Sequence, residues 1–156
     1  MSMAKILPDI KVTAIDCSQD ALRVAKENAL LHDVADRVRF LQMDILKAAP
    51  AESYDCVISN PPYISAEEMA CLAADIKEYE PSGALDGGMD GLTFYRRIVS
   101  LSCLKDGGYL IFEIGDTQAE AVQNLLEKNA FGDIRIIKDL AGADRGIVAR
   151  KQKVGR

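Results

Sequence analysis

Apolar residues occur along this chain in short runs separated by longer, polar, helix-periodic stretches, and the two kinds of segment alternate. Lys11-Val12-Thr13-Ala14-Ile15 reads as a buried strand ending in Asp16. Ser18 is placed to cap a helix over about 19–31, with Leu22, Ala25, Ala29 and Leu30 on its inner face. Arg37-Val38-Arg39-Phe40-Leu41 alternates polar and apolar residues, and Asp44 follows it. Tyr54-Asp55-Cys56-Val57-Ile58-Ser59 is a third strand, and Ser65-Ala66-Glu67-Glu68 has the spacing of a capping box that opens a short helix. A glycine-rich loop runs from Glu80 to Gly91. The helix after it, over about 91–104, places Leu92, Tyr95, Ile98, Val99 and Leu101 or Ser102 near its inner stripe. Lys105-Asp106-Gly107-Gly108 reads as a turn into Tyr109–Ile114, the most apolar strand. Thr117-Gln118-Ala119-Glu120 repeats the capping-box spacing and opens a helix to about Asn129. The last two strands, 134–137 and 146–149, lie too close in sequence for a helical crossover and so run antiparallel. The expected class is α/β, a mostly parallel sheet closed by a C-terminal antiparallel hairpin. Repeats, low-complexity segments and linkers are absent from the sequence.

The third strand runs straight into Asn60-Pro61-Pro62-Tyr63. Neither proline can donate a ladder hydrogen bond, and the first bars its predecessor from helical geometry. The strand must stop there and hold a stiff loop at its C-terminal end, the edge at which open α/β sheets bind ligands. An Asn amide and an aromatic ring on such a loop suit a flat, amide-like nitrogen substrate.

Composition narrows the partners. At 156 residues the chain has the size of one domain, spanning 1–156. A net charge of −5 and a pI near 4.9 argue against duplex DNA, whose partners carry a basic face. The basic tail of Arg150, Lys151, Lys153 and Arg156 reads as a solvated terminus. The four cysteines, Cys17, Cys56, Cys71 and Cys103, lack Cys-x-x-Cys spacing, and His32 is the lone histidine, so no metal site is expected. Cys56 and Cys103 read as small core residues, and a reducing, cytoplasmic compartment is expected. Lys5 and Pro8 break up the start, so no signal peptide is read, and no apolar run is long enough for a membrane span.

Several pieces together resemble class I S-adenosylmethionine-dependent methyltransferases, and within them the release-factor glutamine methyltransferases of the HemK/PrmC family. They are Ala14-Ile15-Asp16-Cys17-Ser18 with Ala21-Leu22 and Ala25-x-x-Asn28, and Ser59-Asn60-Pro61-Pro62-Tyr63-Ile64. Tyr79-Glu80-Pro81 with Ala84-Leu85, and Gly88-Met89-Asp90-Gly91-Leu92, come next. Gly107-Gly108 before Glu113-Ile114-Gly115, and Lys138-Asp139-Leu140 with Asp144-Arg145, complete the likeness. It runs from about residue 4 to about residue 150. The Asn-Pro-Pro-Tyr piece alone is shared with adenine-N6 DNA methyltransferases. In the family a first strand and a Gly-x-Gly-x-Gly loop stand upstream of where this chain begins, and Met1–Pro8 looks like the tail of the next helix. That strand is central in the fold, between the Asp16 and Asn60 strands. The expectation is therefore a Rossmann-like sheet missing its first central strand, with two open edges through which the chain self-associates, or which another protomer or protein fills.

The resemblance implies S-adenosylmethionine as cofactor, the glutamine of the Gly-Gly-Gln loop of peptide chain release factors as substrate, and N5 as the atom methylated. It implies that the Asn60 side-chain oxygen and the Pro61 carbonyl accept the two amide protons, with Tyr63 packed on the amide plane; Pro62 belongs to the same catalytic loop, and Asn60 also to the cofactor site. Asp16 either accepts from ribose hydroxyls or serves as a helix-start charge. By resemblance Asp44 meets the adenine amino group and Ile45 packs on the ring; the bland reading of Asp44 is a loop aspartate. Glu113 either lines the site or caps the next turn. His32 reads as a helix C-cap, Gly87-Gly88 as a flexible lid or turn, and Arg96-Arg97 as a solvated helix face. Two other functions stay open at this point: an inactive fragment or interaction module, and an adenine-N6 DNA methyltransferase.

Overall fold

The structure, a computed structural model, describes residues 1–71 and 82–153, so Tyr79-Glu80-Pro81 and Arg156 lie outside the described residues. The chain divides into two compact units, Met1–Ala48 and Ala49–Arg156.

The first unit contains helix α1 (Ser2–Ile6), strand β1 (Val12–Asp16), helix α2 (Gln19–Leu31), a 3-10 turn at Ala35–Arg37 and strand β2 (Val38–Gln42). β1 and β2 pair in parallel, with Asp16 opposite Gln42. Helix α2 starts where its cap predicts: the Ser18 hydroxyl accepts from the Ala21 amide at 3.2 Å. His32 is its C-cap, as expected. Leu30 is not on the inner face; it is 67% exposed, whereas Leu22 and Ala29 are buried. Those two lie seven residues apart on one line of the helix, and Leu30 sits about 100° round from Ala29. A small core of Ala4, Ala29, Val34 and Val38 holds the unit. Arg37 donates to the Pro8 carbonyl at 3.1 Å and to the Ala4 and Leu7 carbonyls, satisfying acceptors at the end of α1.

The second unit contains β3 (Tyr54–Ser59), α3 (Ala66–Cys71), α4 (Ser82–Leu85), α5 (Thr93–Ser100), β4 (Leu104–Glu113), α6 (Ala119–Lys128), β5 (Phe131–Lys138) and β6 (Asp144–Lys151). Its sheet has the order β3-β4-β6-β5. β3 and β4 are parallel, and the two final strands are antiparallel to their neighbours, as their spacing predicts. The stretch 105–108 is no turn. It lies inside β4, where the register against β3 shifts between Tyr54 and Cys56. The core joins Leu110 and Phe112 of β4 to Ile147 and Ala149 of β6, under Tyr95, Val99, Val122 and Leu126 of the helices. Tyr95 meets Phe112 edge-on at 5.1 Å between ring centres. Each of these large side chains contributes about 1.5–3 kcal/mol by burial.

β1 has β2 as its one strand neighbour and β3 has β4, so among the described residues each carries an open edge, with Ile58 of β3 half-exposed. No helix among the described residues is long and apolar enough to cross a membrane.

Candidate active site

The candidate residues of each unit stand at the C-terminal ends of parallel strands. In the first unit Asp16 closes β1, and its carbonyl accepts from the Met43 amide just past β2 at 2.9 Å. Asp44 thus leaves the sheet at the same rim. One Asp16 carboxylate oxygen accepts from the Ser18 amide at 2.7 Å, just ahead of α2. Asp44 accepts from the Leu46 amide at 3.0 Å and pairs with Lys47 at 2.9 Å. The Lys47 hydrogen bond, then the Leu46 amide, hold its carboxyl below the usual carboxylate range, and Lys47 is raised in turn. Ile45, half-buried, lies between them.

In the second unit Asn60 is the first residue beyond β3, and it is exposed. Pro61 is buried, and Pro62 and Tyr63 are half-buried. This loop rests on the glycine-rich segment. Ile64 donates to the Leu85 carbonyl at 3.1 Å, Gly87 donates to Ile64 at 2.8 Å, and Ala66 donates to Gly88 at 3.1 Å. Ile64 and Asp86 form a parallel bridge. A methyl group on Gly87 would sit 2.8 Å from two Tyr63 backbone carbons. At Gly91, where φ is +71°, it would meet the Tyr63 carbonyl oxygen at 2.3 Å. Of the lid and turn readings for this segment, the turn is the one formed, packed against Tyr63. Arg96 is more than a solvated face: its guanidinium pairs with Asp90, where the segment enters α5. Ser65 and Glu68 form the expected capping box, Ser65 N to Glu68 at 2.8 Å and Glu68 N to the Ser65 hydroxyl at 3.3 Å.

The second capping box does not form. Helix α6 is capped by Gln118, one residue later than expected, and no side-chain hydrogen bond caps it. The Gln118 carboxamide turns away from its own helix. Its Nε2 donates to the Tyr63 carbonyl at 2.9 Å, and its Oε1 accepts from the Gly115 amide at 3.1 Å. The Tyr95 hydroxyl donates to the Glu113 carbonyl at 2.9 Å, and burial pushes that phenol well above its ordinary range. Tyr63, Ile64, Glu68, the 115–118 turn and Arg145 line an open, shallow cavity of about 260 Å³. Neither Asn60 nor Glu113 is among its walls. Arg145 is held by Asp139 at 3.3 Å. Desolvation pushes the Asp139 carboxyl up, but the Ala143 and Ala141 amides and Arg145 outweigh it and leave it below its usual range. Gln118, Tyr95, Gly87 and Arg145 were not read from sequence as site residues. The signal available was Gly115-x-x-Gln118 directly after a strand end already flagged at Glu113-Ile114-Gly115.

The chain is similar to known methyltransferases in sequence and in fold. The family model "Methyltransferase small domain" matches residues 1–77. The release factor glutamine methyltransferase of Clostridium acetobutylicum is 44% identical over 153 residues, which cover 96% of this chain and 54% of that protein. That of Thermodesulfovibrio yellowstonii is 37% identical over 155 residues, 98% of this chain and 55% of that protein. Across nearly its whole length the chain is similar to release factor glutamine methyltransferases. It spans about half the length of the curated relatives it matches. Among solved structures, a methyltransferase from Pyrococcus furiosus superposes with a TM-score of 0.70 at 19% identity, covering 97% of this chain and 68% of that one. The N-methyltransferase NodS from Bradyrhizobium japonicum, solved with S-adenosyl-L-homocysteine, gives 0.59 at 17% identity, over 98% and 72%. These likenesses show a fold of the class I methyltransferase type.

Proposed function

We propose that this chain is the catalytic domain, or part of it, of a cytosolic S-adenosylmethionine-dependent methyltransferase. Its substrate is the N5 amide of the glutamine in the Gly-Gly-Gln loop of peptide chain release factors. The observation that carries the reading is the Asn60–Tyr63 loop. Two prolines stop β3, Asn60 is left exposed at the strand end, and Tyr63 walls an adjacent cavity. Relatives named for this activity are 37% and 44% identical across nearly the whole chain.

The residues of the first unit suit the cofactor chemically. Asp16 is an exposed carboxylate acceptor at a strand end, fit for ribose hydroxyls. Lys47 and the Leu46 amide keep Asp44 ionised, so it accepts hydrogen bonds such as that of an adenine amino group, with Ile45 offering an apolar surface beside it. When bound, S-adenosylmethionine supplies an electrophilic methyl carbon. An amide nitrogen is a weak nucleophile, because its lone pair is delocalised into the carbonyl. The Asn60 oxygen and the Pro61 carbonyl, by accepting its two N–H groups, fix its plane and aim the lone pair at the methyl carbon. With the methyl group supplied by the cofactor, these residues would hold the amide in place, and the proton it gives up on methylation would pass to water without a charged base. Tyr63 packs on the amide plane.

The open edges of β1 and β3 favour self-association, and sedimentation of a clean 17.0 kDa monomer would count against it. The reading is tested by calorimetric titration with S-adenosylmethionine and by radiolabelled methyl transfer to a release factor. Micromolar affinity and transfer to the Gly-Gly-Gln glutamine are expected. Asn60→Ala should lower kcat by about 100-fold or more, with cofactor affinity held within about twofold. Near-normal turnover by that variant refutes its role. Absent binding supports a non-catalytic module instead.

A further inference from the structure

We infer that Gln118 is the positioning residue for the Asn60–Tyr63 loop, an assignment that rests on the methyl-transfer reading above. Pro61 and Pro62 have no N–H, so this loop has few donors with which to anchor itself and must be held by its carbonyls. The proposed chemistry uses the Pro61 carbonyl. The carbonyl of Tyr63, two residues on, is the one that a distant side chain grips, at 2.9 Å from Gln118 Nε2.

The grip needs a carboxamide. Its nitrogen must face the Tyr63 carbonyl, which only accepts, and its oxygen must face the Gly115 amide, which only donates, at 3.1 Å. The two partners therefore settle which end of the amide is which. The second Nε2 proton faces the Gly91 carbonyl at 3.4 Å, and Gly91 is pressed against the same Tyr63 oxygen. The Tyr95 hydroxyl approaches Gln118 Oε1 at 3.4 Å while donating to Glu113. Glu at 118 would set oxygen against oxygen, Asn would fall short by one methylene, and Met would fill the space without a donor. The side chain does nothing for its own helix, because no side-chain hydrogen bond caps α6. Its interaction energy goes to a loop 55 residues away.

The experiment is residue-resolved amide hydrogen exchange on the whole chain, comparing the parent with Gln118→Met and Gln118→Glu. The Ile64 and Gly87 amides report on the loop through their hydrogen bonds to Leu85 and Ile64. They should exchange about 10- to 100-fold faster in both variants, the range expected for a lost hydrogen bond that strands a part-buried carbonyl. Amides of Phe112 in β4 and Val122 in α6 should change by less than about threefold. Unchanged exchange at Ile64, or equal acceleration at all four sites, overturns the assignment, the second because it marks a general loss of stability. Methyl transfer to a Gly-Gly-Gln peptide should show kcat down about tenfold or more, with KM for S-adenosylmethionine within about twofold. An unchanged kcat beside a loosened loop also overturns it. If the parent chain transfers no methyl group, the functional reading fails, and the exchange data alone decide the role of Gln118.

Discussion

Replacing Gly87 with alanine tests whether the glycine-rich segment braces the Asn60–Tyr63 loop, because the sign of the effect is decisive. A Gly→Ala change at an unstrained site stabilises by about 0.4–1 kcal/mol through the unfolded chain. Gly87 has no left-handed φ, so backbone strain would not reverse that gain. Only crowding can. The added methyl would stand 2.8 Å from two Tyr63 backbone carbons and 2.9 Å from the Gly91 Cα, where carbon–carbon contacts rest near 3.5–4.0 Å. All three neighbours are backbone atoms, so none escapes by turning a side chain. Tyr63 is further pinned by Gln118, and Gly87 itself by its bond to Ile64. Overpacking by one methyl in such a place costs about 1–3 kcal/mol. Set against the unfolded-chain gain, a net destabilisation of about 1–2 kcal/mol is expected. In urea, with m about 1–3 kcal/mol/M, the midpoint followed by circular dichroism should fall by roughly 0.3–2 M. A variant as stable as the parent, or more stable, would show that Gly87 and Tyr63 are not packed as described and would remove the brace.

Other outcomes follow from the same contacts. Tyr95→Phe keeps the edge-on packing with Phe112 but strands the Glu113 carbonyl, so the urea midpoint should show a loss of about 1–2 kcal/mol; no loss would mean the hydroxyl bond contributes nothing. Asp44, Asp55, Asp90 and Glu68 are held low by Lys47, Lys105, Arg96 and Ser65 respectively, and Asp139 by the amides and Arg145 that outweigh its desolvation. Their folded-state values lie below the unfolded ones near 4, so their contribution is present above about pH 4 and is lost as pH falls through the lowered values. Melting temperature should therefore be level from pH 8 to about 5 and drop below about pH 4, and a Tm that held to pH 3 would contradict this. Cys17 and Cys71 are exposed, whereas burial raises the Cys56 and Cys103 thiols, so a thiol reagent at pH 8 should modify the first pair fast and the second pair only slowly until urea is added.

Local signals carried the fold well where a segment's partners were near in sequence or generic. Helix α2 is legible because Ser18 caps it and its apolar period is regular, and β5 and β6 because a short connection leaves no room for a crossover. Leu30 misled because a helix that rests on a small core buries a narrow stripe, and hydrophobicity alone does not mark the stripe's edge. The β4 start misled because Gly107 and Gly108 have turn composition, yet the register shift against β3 absorbs them within the strand. The Asn-Pro-Pro-Tyr loop was visible for a chemical reason: two adjacent prolines end a strand whatever surrounds them.

The two capping boxes show why the rest of the site was not legible. Ser65-x-x-Glu68 and Thr117-x-x-Glu120 have the same spacing, and only the first closes. At 65 the groups that compete for the side chains are local, and the reciprocal pair satisfies both free amides. At 117 the chain comes off β4 beside the Tyr63 carbonyl, an acceptor fixed by a stiff proline loop. A carboxamide at 118 can serve that carbonyl and the Gly115 amide together, which neither Thr117 nor Glu120 can do. Helix α6 starts at Ala119 with a poorer cap, and the difference goes into holding Tyr63. The local weakness beside this strand end thus accompanies a long-range contact to the Tyr63 loop. It follows that Gln118→Ser, which gives α6 a better N-cap residue, should not loosen the helix and should still free the loop. Amide exchange that rose at Ile64 while falling or holding at Val122 would separate the two roles in one variant, and a parallel change at both would dissolve the distinction.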